Sequence, residues 1–237
     1  MNEAVESLTA VILAGGLGTR LRDVLPDTPK PMAPVDGRPF LEYLVEQLRR
    51  GGFVDVVICV GYKADVIASH FGDGRGHGVH IRYAREETLL GTAGALGKAR
   101  HLIASDPFLA MNGDSYCAAD LRQLITEHRA SGAAATIVAT EVPDASRYGS
   151  LALAADGAVT GFLEKSKTPG PGLINAGIYL LNRAVLDLVP DGRPCSMERQ
   201  VLPALVGRGL HAFKVSGAFI DIGIPAEFAR AAAVLPS

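Results

Sequence analysis

The chain has 237 residues, with Lys plus Arg 23 against Asp plus Glu 25 and a formal net charge of −2. Hydrophobic residues at 48% and charged residues at 20% exclude a disordered chain and describe a globular one. The near-zero charge argues against a nucleic-acid binder, so an anionic ligand must be met by a few placed cations and not by a basic field.

The N-terminal Met1–Ser7 is polar, carries Glu3 and Glu6, and lacks the basic region of a signal peptide. Thr9–Ala14 (TAVILA) reads as a buried strand, and the apolar stretch Leu8–Leu13 is too short to span a bilayer. Pro39–Arg50 reads as a helix with Leu41, Leu44, Val45 and Leu48 on one face, ended by Gly51-Gly52. Asp55–Val60 is a second buried strand. Lys63–Phe71 is a short helix expected to turn Val66, Ile67, His70 and Phe71 inward. Val79–Ala84 alternates like a strand, Ala93–Ile103 is helical and Phe108–Met111 is a strand. A helical stripe of Leu121, Leu124, Ile125 and His128 precedes a strand at Ala134–Val142. This alternation predicts an α/β fold: a doubly wound, mostly parallel mixed sheet.

The remainder is richer in β. Strands are expected at Ser150–Leu153, Val159–Leu163, Ile174–Leu181, His211–Val215 and Phe219–Ile222, with helices at Ser196–Leu205 and Pro225–Leu235. No linker or repeat divides the chain. The expectation is one domain, residues 1–237, with about 8–140 as a nucleotide-binding half and about 141–237 as a sugar-phosphate half. Cys59, Cys117 and Cys195 are odd in number and form no CxxC, which fits a reducing cytosol and gives no zinc signature. The expected location is cytoplasmic, with no membrane partner.

The first chemical signal is Gly15-Gly16-Leu17-Gly18-Thr19-Arg20, directly after the first strand. Such glycines let backbone N–H groups approach phosphates. The dinucleotide fingerprint fails because Leu21 stands where its third glycine belongs, and the P-loop's GK[ST] is absent. Lys30 follows in Thr28-Pro29-Lys30-Pro31, where two prolines fix the backbone around its ammonium. Taken alone, this is equally a plain strand-to-helix turn with two surface cations. Asp114 ends Asn112-Gly113-Asp114 after an apolar strand, and Asp221 lies within Phe219-Ile220-Asp221-Ile222-Gly223. A carboxylate among Phe and Ile is costly unless paired or bound to a cation. If both end neighbouring strands, they can share Mg2+ with phosphate oxygens. Asp114 is otherwise a turn residue and Asp221 a salt-bridged one. Glu164-Lys165, with Asn175, Gly177 and Arg147-Tyr148-Gly149 nearby, reads as a second phosphate and hydroxyl site or as a surface ion pair and hairpin.

Together these motifs resemble the sugar-phosphate nucleotidylyltransferases. AVILAGGLGTRL with TPKPM is similar to that family's opening signature. LGTAGAL at Leu90–Leu96, the NGD at Asn112–Asp114 and the Glu164-Lys165 pair follow in the family's order, covering about Leu8 to Phe228. KPMAP, RYG, GLINAGIYLL and FIDIGIP are most similar to the family's D-glycero-α-D-manno-heptose-1-phosphate guanylyltransferases. Mannose-1-phosphate guanylyltransferases and uridylyl- or thymidylyltransferases of the same fold are the alternatives. A nucleotide-binding regulatory subunit without turnover is the alternative of another class.

The resemblance implies a Rossmann-like nucleotidyltransferase fold without a C-terminal β-helix. It implies GTP and a sugar 1-phosphate as partners, giving a GDP-sugar and pyrophosphate for surface polysaccharide synthesis; a homodimer is the expected assembly. By the same resemblance, Arg20 meets the β- and γ-phosphates, Lys30 meets the α-phosphate side, and Asp114 and Asp221 hold Mg2+. Leu13, Ala14, Gly15, Gly16, Gly18, Thr19, Gly91, Thr92, Asn112 and Gly113 contact the nucleotide. Lys165 binds the sugar phosphate, while Tyr148, Gly149, Glu164, Asn175 and Gly177 line the sugar site. Glu86 lies on the stretch that meets the base. Its two acceptor oxygens match the N1–H and N2 amino donors of guanine better than the single ring N–H of uracil. Glu86 is otherwise a solvated loop charge.

Overall fold

Alternate residues of Thr9–Ala14 face two different apolar layers, and the architecture follows from that. Ala10 and Ile12 join one core cluster while Val11 joins the other. A strand buried on both sides needs cover on both faces, which crossover helices supply. The computed structural model describes residues 5–21, 24–163 and 169–236. The strand just named is β1 (Thr9–Ala14). A short hairpin of β2 (Pro34–Val35) and β3 (Arg38–Pro39) leads to α1 (Phe40–Gly51), β4 (Asp55–Val60), α2 (Ala64–Phe71) and β5 (His80–Arg85). Then come α3 (Gly91–Ala99), β6 (Phe108–Asn112), β7 (Ser115–Cys117), α4 (Leu121–Ser131) and β8 (Ala135–Val142). The chain continues through β9 (Ser150–Leu153), β10 (Val159–Leu163) and β11 (Gly172–Leu181). A π-helical turn, Met197–Val201, runs into α5 (Leu202–Leu205), followed by β12 (Leu210–Val215), β13 (Phe219–Asp221) and α6 (Pro225–Arg230).

The sheet has two wings. In the first, β6, β1, β4 and β5 are neighbours in that order and all pair in parallel. In the second, the long β11 runs antiparallel to β6, β8 and β9, β10 adds to β9, and β12 pairs in parallel with β8. The result is the expected α/β fold with one mixed sheet shared by both halves of the chain. Helices α1, α2 and α4 bury Leu41, Leu44, Ile67 and Leu124 against one face. Helix α3 and the 197–205 segment bury Leu96, Ala99, Met197 and Leu202 against the other.

Several expectations shift. Helix α2 turns only Ile67 and Phe71 inward, whereas Val66 is 44% exposed and His70 bonds Glu42 at the surface. The helix expected through Ile103 ends at Ala99 and tightens into a 3-10 turn, Arg100–Leu102. The helix expected at Ser196–Leu205 is split into the π turn and α5. No helix among the described residues is long and apolar enough to cross a membrane.

Candidate active site

Strand β1 is the switch point of the parallel wing. The chain leaves it through α1 toward β4 and β5, then returns to its other side as β6, so the crevice beyond β1 and β6 is where such a sheet takes a ligand. The Gly15–Arg20 turn leaves β1 there, and Asn112 ends β6 opposite Leu13. Gly18 has φ +59°, and a Cβ on it would meet Lys30 Cβ at 2.9 Å. Glycine therefore lets the turn press against the 3-10 segment Lys30–Met32, and the cations of turn and segment converge.

A cleft of about 590 Å3 opens at this point. All eleven residues expected on the nucleotide line it: Leu13, Ala14, Gly15, Gly16, Gly18, Thr19, Glu86, Gly91, Thr92, Asn112 and Gly113. Arg20, Lys30, Asp114 and Asp221 line it too. Its mouth is flanked by Leu17 and Leu89, 39% and 50% exposed, which offer apolar surface to a planar group. A second cleft of about 340 Å3 is lined by Tyr148, Gly149, Asn175 and Gly177, together with Arg147 and Phe219. The two clefts meet: Arg20, Asn112, Asp114, Asp221 and Glu198 line both.

The two aspartates are joined by a ribbon and not by the main sheet. Strand β13 pairs antiparallel with β7, with Asp221 opposite Ser115, and Ile222 N–H donates to Asp114 C=O at 3.0 Å. The expectation of two carboxyl ends of neighbouring strands is not met: Asp221 ends β13, but Asp114 lies in the turn just before β7, and the antiparallel pairing brings them together. Lys30 Nζ sits 2.6 Å from Asp114 Oδ2 and 3.6 Å from Asp221 Oδ1, with its side chain 10% exposed. Burial and the nearby Asp114 carboxylate push the Asp221 carboxyl above its ordinary range, and the Lys30 ammonium pulls it back. Lys30 was expected on the α-phosphate side. Its ammonium lies on the two carboxylates at the junction of the clefts.

These geometries are accompanied by clear similarity to known proteins. The nucleotidyl transferase family profile matches residues 9–236. The chain belongs to that family. It is 36% identical over 225 residues to the D-glycero-alpha-D-manno-heptose 1-phosphate guanylyltransferase of Aneurinibacillus thermoaerophilus, covering 94% of this chain and 96% of that one. It is 37% identical over 235 residues to the mannose-1-phosphate guanylyltransferase of Mycobacterium tuberculosis, covering 98% of this chain but only 66% of the relative. Among solved structures, HddC from Yersinia pseudotuberculosis matches with a TM-score of 0.83 and 34% identity, over 95% of this chain and 98% of that one. A second structure of HddC is complexed with GMP-PN.

Within this nucleotidyl transferase, other side chains are already committed. Glu86 Oε2 accepts from Leu90 N–H at 3.1 Å, and burial raises its carboxyl above the ordinary range. The Thr92 hydroxyl donates to Glu198 Oε2 at 2.9 Å and accepts from Met197 N–H at 2.8 Å, so it ties α3 to the 197–201 turn. Asn175 donates through Nδ2 to Tyr179 Oη and accepts through Oδ1 from Gly177 N–H. Tyr148 packs edge-on to Phe219 at 5.5 Å, with the Arg147 guanidinium over its ring. Glu164 and Lys165 lie outside the described residues.

The donor set suits a hard cation. Mg2+ is held through one or two carboxylates with substrate phosphates completing its shell, and Asp114 and Asp221 supply two carboxylates at the junction. Among the described residues no group of three or more His, Cys, Asp or Glu side chains is placed to hold a metal alone. Sequence reasoning missed Glu198. Its Ser196-Met197-Glu198 context reads as an ordinary N-cap and first-turn acid, and only the docking of that turn on α3 brings it to the clefts.

Proposed function

We propose that the protein transfers GMP from GTP to a sugar 1-phosphate, releasing pyrophosphate and a GDP-sugar. The observation that carries this reading is the pair of clefts meeting at Asp114 and Asp221, one lined by the glycine turn and one by Tyr148, Gly149 and Asn175. The guanylyltransferase relatives and the GMP-PN complex of HddC support guanine as the base. Near-complete mutual coverage with the heptose relative supports D-glycero-α-D-manno-heptose 1-phosphate as the acceptor. The GDP-sugar would then feed surface polysaccharide synthesis from the cytoplasm.

The chemistry needs little from the protein beyond placement. The nucleophile is a phosphate monoester, largely dianionic at pH 7 because its second pKa is about 6. It requires no general base. The task is to hold two anions in line and offset their charge. Arg20, exposed at the junction of both clefts, places a planar fork against the departing pyrophosphate. Lys30 keeps the two carboxylates paired and oriented. Mg2+ held by Asp114 and Asp221 would polarise the α-phosphate and neutralise the leaving oxygens. Leu17 and Leu89 would offer the base an apolar surface. Lys165 takes the sugar phosphate, with Glu164 beside it.

The test is pyrophosphate release from GTP, ATP, UTP and dTTP, each offered mannose, glucose and D-glycero-D-manno-heptose 1-phosphates. Release with GTP and the manno-configured sugars is the expected pattern. Preferential release from UTP or dTTP with glucose 1-phosphate would contradict it.

A further inference from the structure

Glu198 is the fifth residue common to both clefts, and the reaction just described gives it no task. Its surroundings narrow what it can bind. The segment that carries it is docked on the start of α3: Cys195 N–H donates to Leu90 C=O at 2.8 Å, and Ala93 and Gly94 N–H both donate to Cys195 C=O at 3.0 Å. The Thr92 and Ser196 hydroxyls donate to Glu198 Oε2 at 2.9 and 2.8 Å. Gly91, with φ +72°, is required for this docking, because a Cβ there would stand 2.7 Å from Cys195 O. One carboxylate oxygen is thus anchored by two hydroxyls, and no protein donor to Oε1 is found among the described residues.

A fixed acid at a site that receives two anions is repelled by both of them. It does not complete a three-acid cation site with Asp114 and Asp221. The groups left for Oε1 are neutral donors on a substrate. Glu198 lines the sugar cleft and the nucleotide cleft where they join, which is where the sugar phosphate meets the α-phosphate. The sugar hydroxyl nearest that point is the one on the carbon next to the phosphate-bearing carbon. We propose that Glu198 Oε1 accepts a hydrogen bond from this 2-hydroxyl and so discriminates sugars that carry it from those that lack it. A hydroxyl donating to a carboxylate makes a charge-assisted bond about twice as strong as a neutral one. The inference rests on the sugar-1-phosphate guanylyltransferase reading.

The experiment measures kcat/KM, at saturating GTP and Mg2+, for mannose 1-phosphate and for 2-deoxyglucose 1-phosphate, the same ring without the hydroxyl. Wild type should prefer the hydroxylated sugar by about tenfold or more. In Glu198→Gln the two donating hydroxyls hold the amide oxygen at the anchored position, which turns the NH2 toward the sugar and removes the charged acceptor. The preference should then fall by about fivefold or more. Glu198→Ala should abolish the preference, and a thermal melt with GTP reports whether it folds. An equal loss on both sugars, an unchanged preference, or a raised KM for GTP alone would each overturn the assignment. Failure of the wild type to turn over any sugar 1-phosphate would overturn the parent reading, and this one with it.

Discussion

Lys30 is the residue on which the account turns, because one ammonium lies within 3.6 Å of two carboxylates at the junction of the clefts. Removing either acid leaves the other paired, so folding should survive. The charge that balances the cation and positions the phosphates is lost. Asp114→Asn and Asp221→Asn should each lower kcat/KM on the order of 100-fold, the scale of removing one preorganised electrostatic contact. The melting temperature should move by only a few degrees. Near-wild-type turnover in either variant, or full activity in EDTA, would contradict the Mg2+ assignment. Glu86 carries a second residue-scale expectation. One of its oxygens caps Leu90 N–H while the side chain faces the cleft beside Leu89. Glu86→Gln should shrink the kcat/KM preference for GTP over UTP by a factor equivalent to roughly 1–3 kcal/mol. An unchanged ratio would show that other groups read the base.

At the scale of elements, α4 is tied to the second wing through a buried histidine. His128 Nε2 donates to Asn182 Oδ1 at 2.9 Å, and its Nδ1 lies 2.8 Å from Thr136 Oγ1. The Asn182 amide donates to Ala133 C=O, which orients its oxygen toward the ring and selects the tautomer. Burial lowers the His128 pKa below its ordinary 6.5, so the folded protein favours the neutral ring. The contribution is intact above about pH 6.5 and is lost as pH falls below it, because the unfolded chain gains the proton first. Unfolding free energy should drop by at most about 1.4 kcal/mol per pH unit from this group. Denaturant melts of wild type and His128→Gln at pH 7.5, 6.5 and 5.5 check this, and identical slopes in the two proteins would refute it. The same scale shows what the sequence could carry. β1 and β4 are buried on both faces, so unbroken apolar runs gave them away, and the one-sided stripe did the same for α1. α2 misled because Val66 looks apolar to a periodicity count while its position faces outward. The β7–β13 ribbon, the β2–β3 hairpin and the π turn at 197–201 are short pieces set by long-range docking, which local pattern does not record. For the same reason Asp221 was legible as a costly acid and Asp114 as the end of an NGD turn, but their pairing through Lys30 was not. Glu198 was legible only as helix-start chemistry.

Across the whole molecule, one mixed sheet places a nucleotide cleft at the end of its parallel wing and a second cleft beside β11. The residues shared by both clefts include no Ser, Cys, His or Lys positioned as a covalent relay. Arg20, Asn112, Asp114, Asp221 and Glu198 are binding, charge-balancing and orienting groups. The expected chemistry is therefore direct in-line transfer from one cleft to the other, with the attacking and leaving oxygens on opposite sides of the α-phosphorus. The most direct measurement uses GTP carrying a single sulfur of known configuration on the α-phosphate and a sugar 1-phosphate acceptor, with the product's configuration read by phosphorus NMR. One displacement predicts inversion at phosphorus. Retention would require a nucleotidyl-enzyme intermediate and would contradict the account.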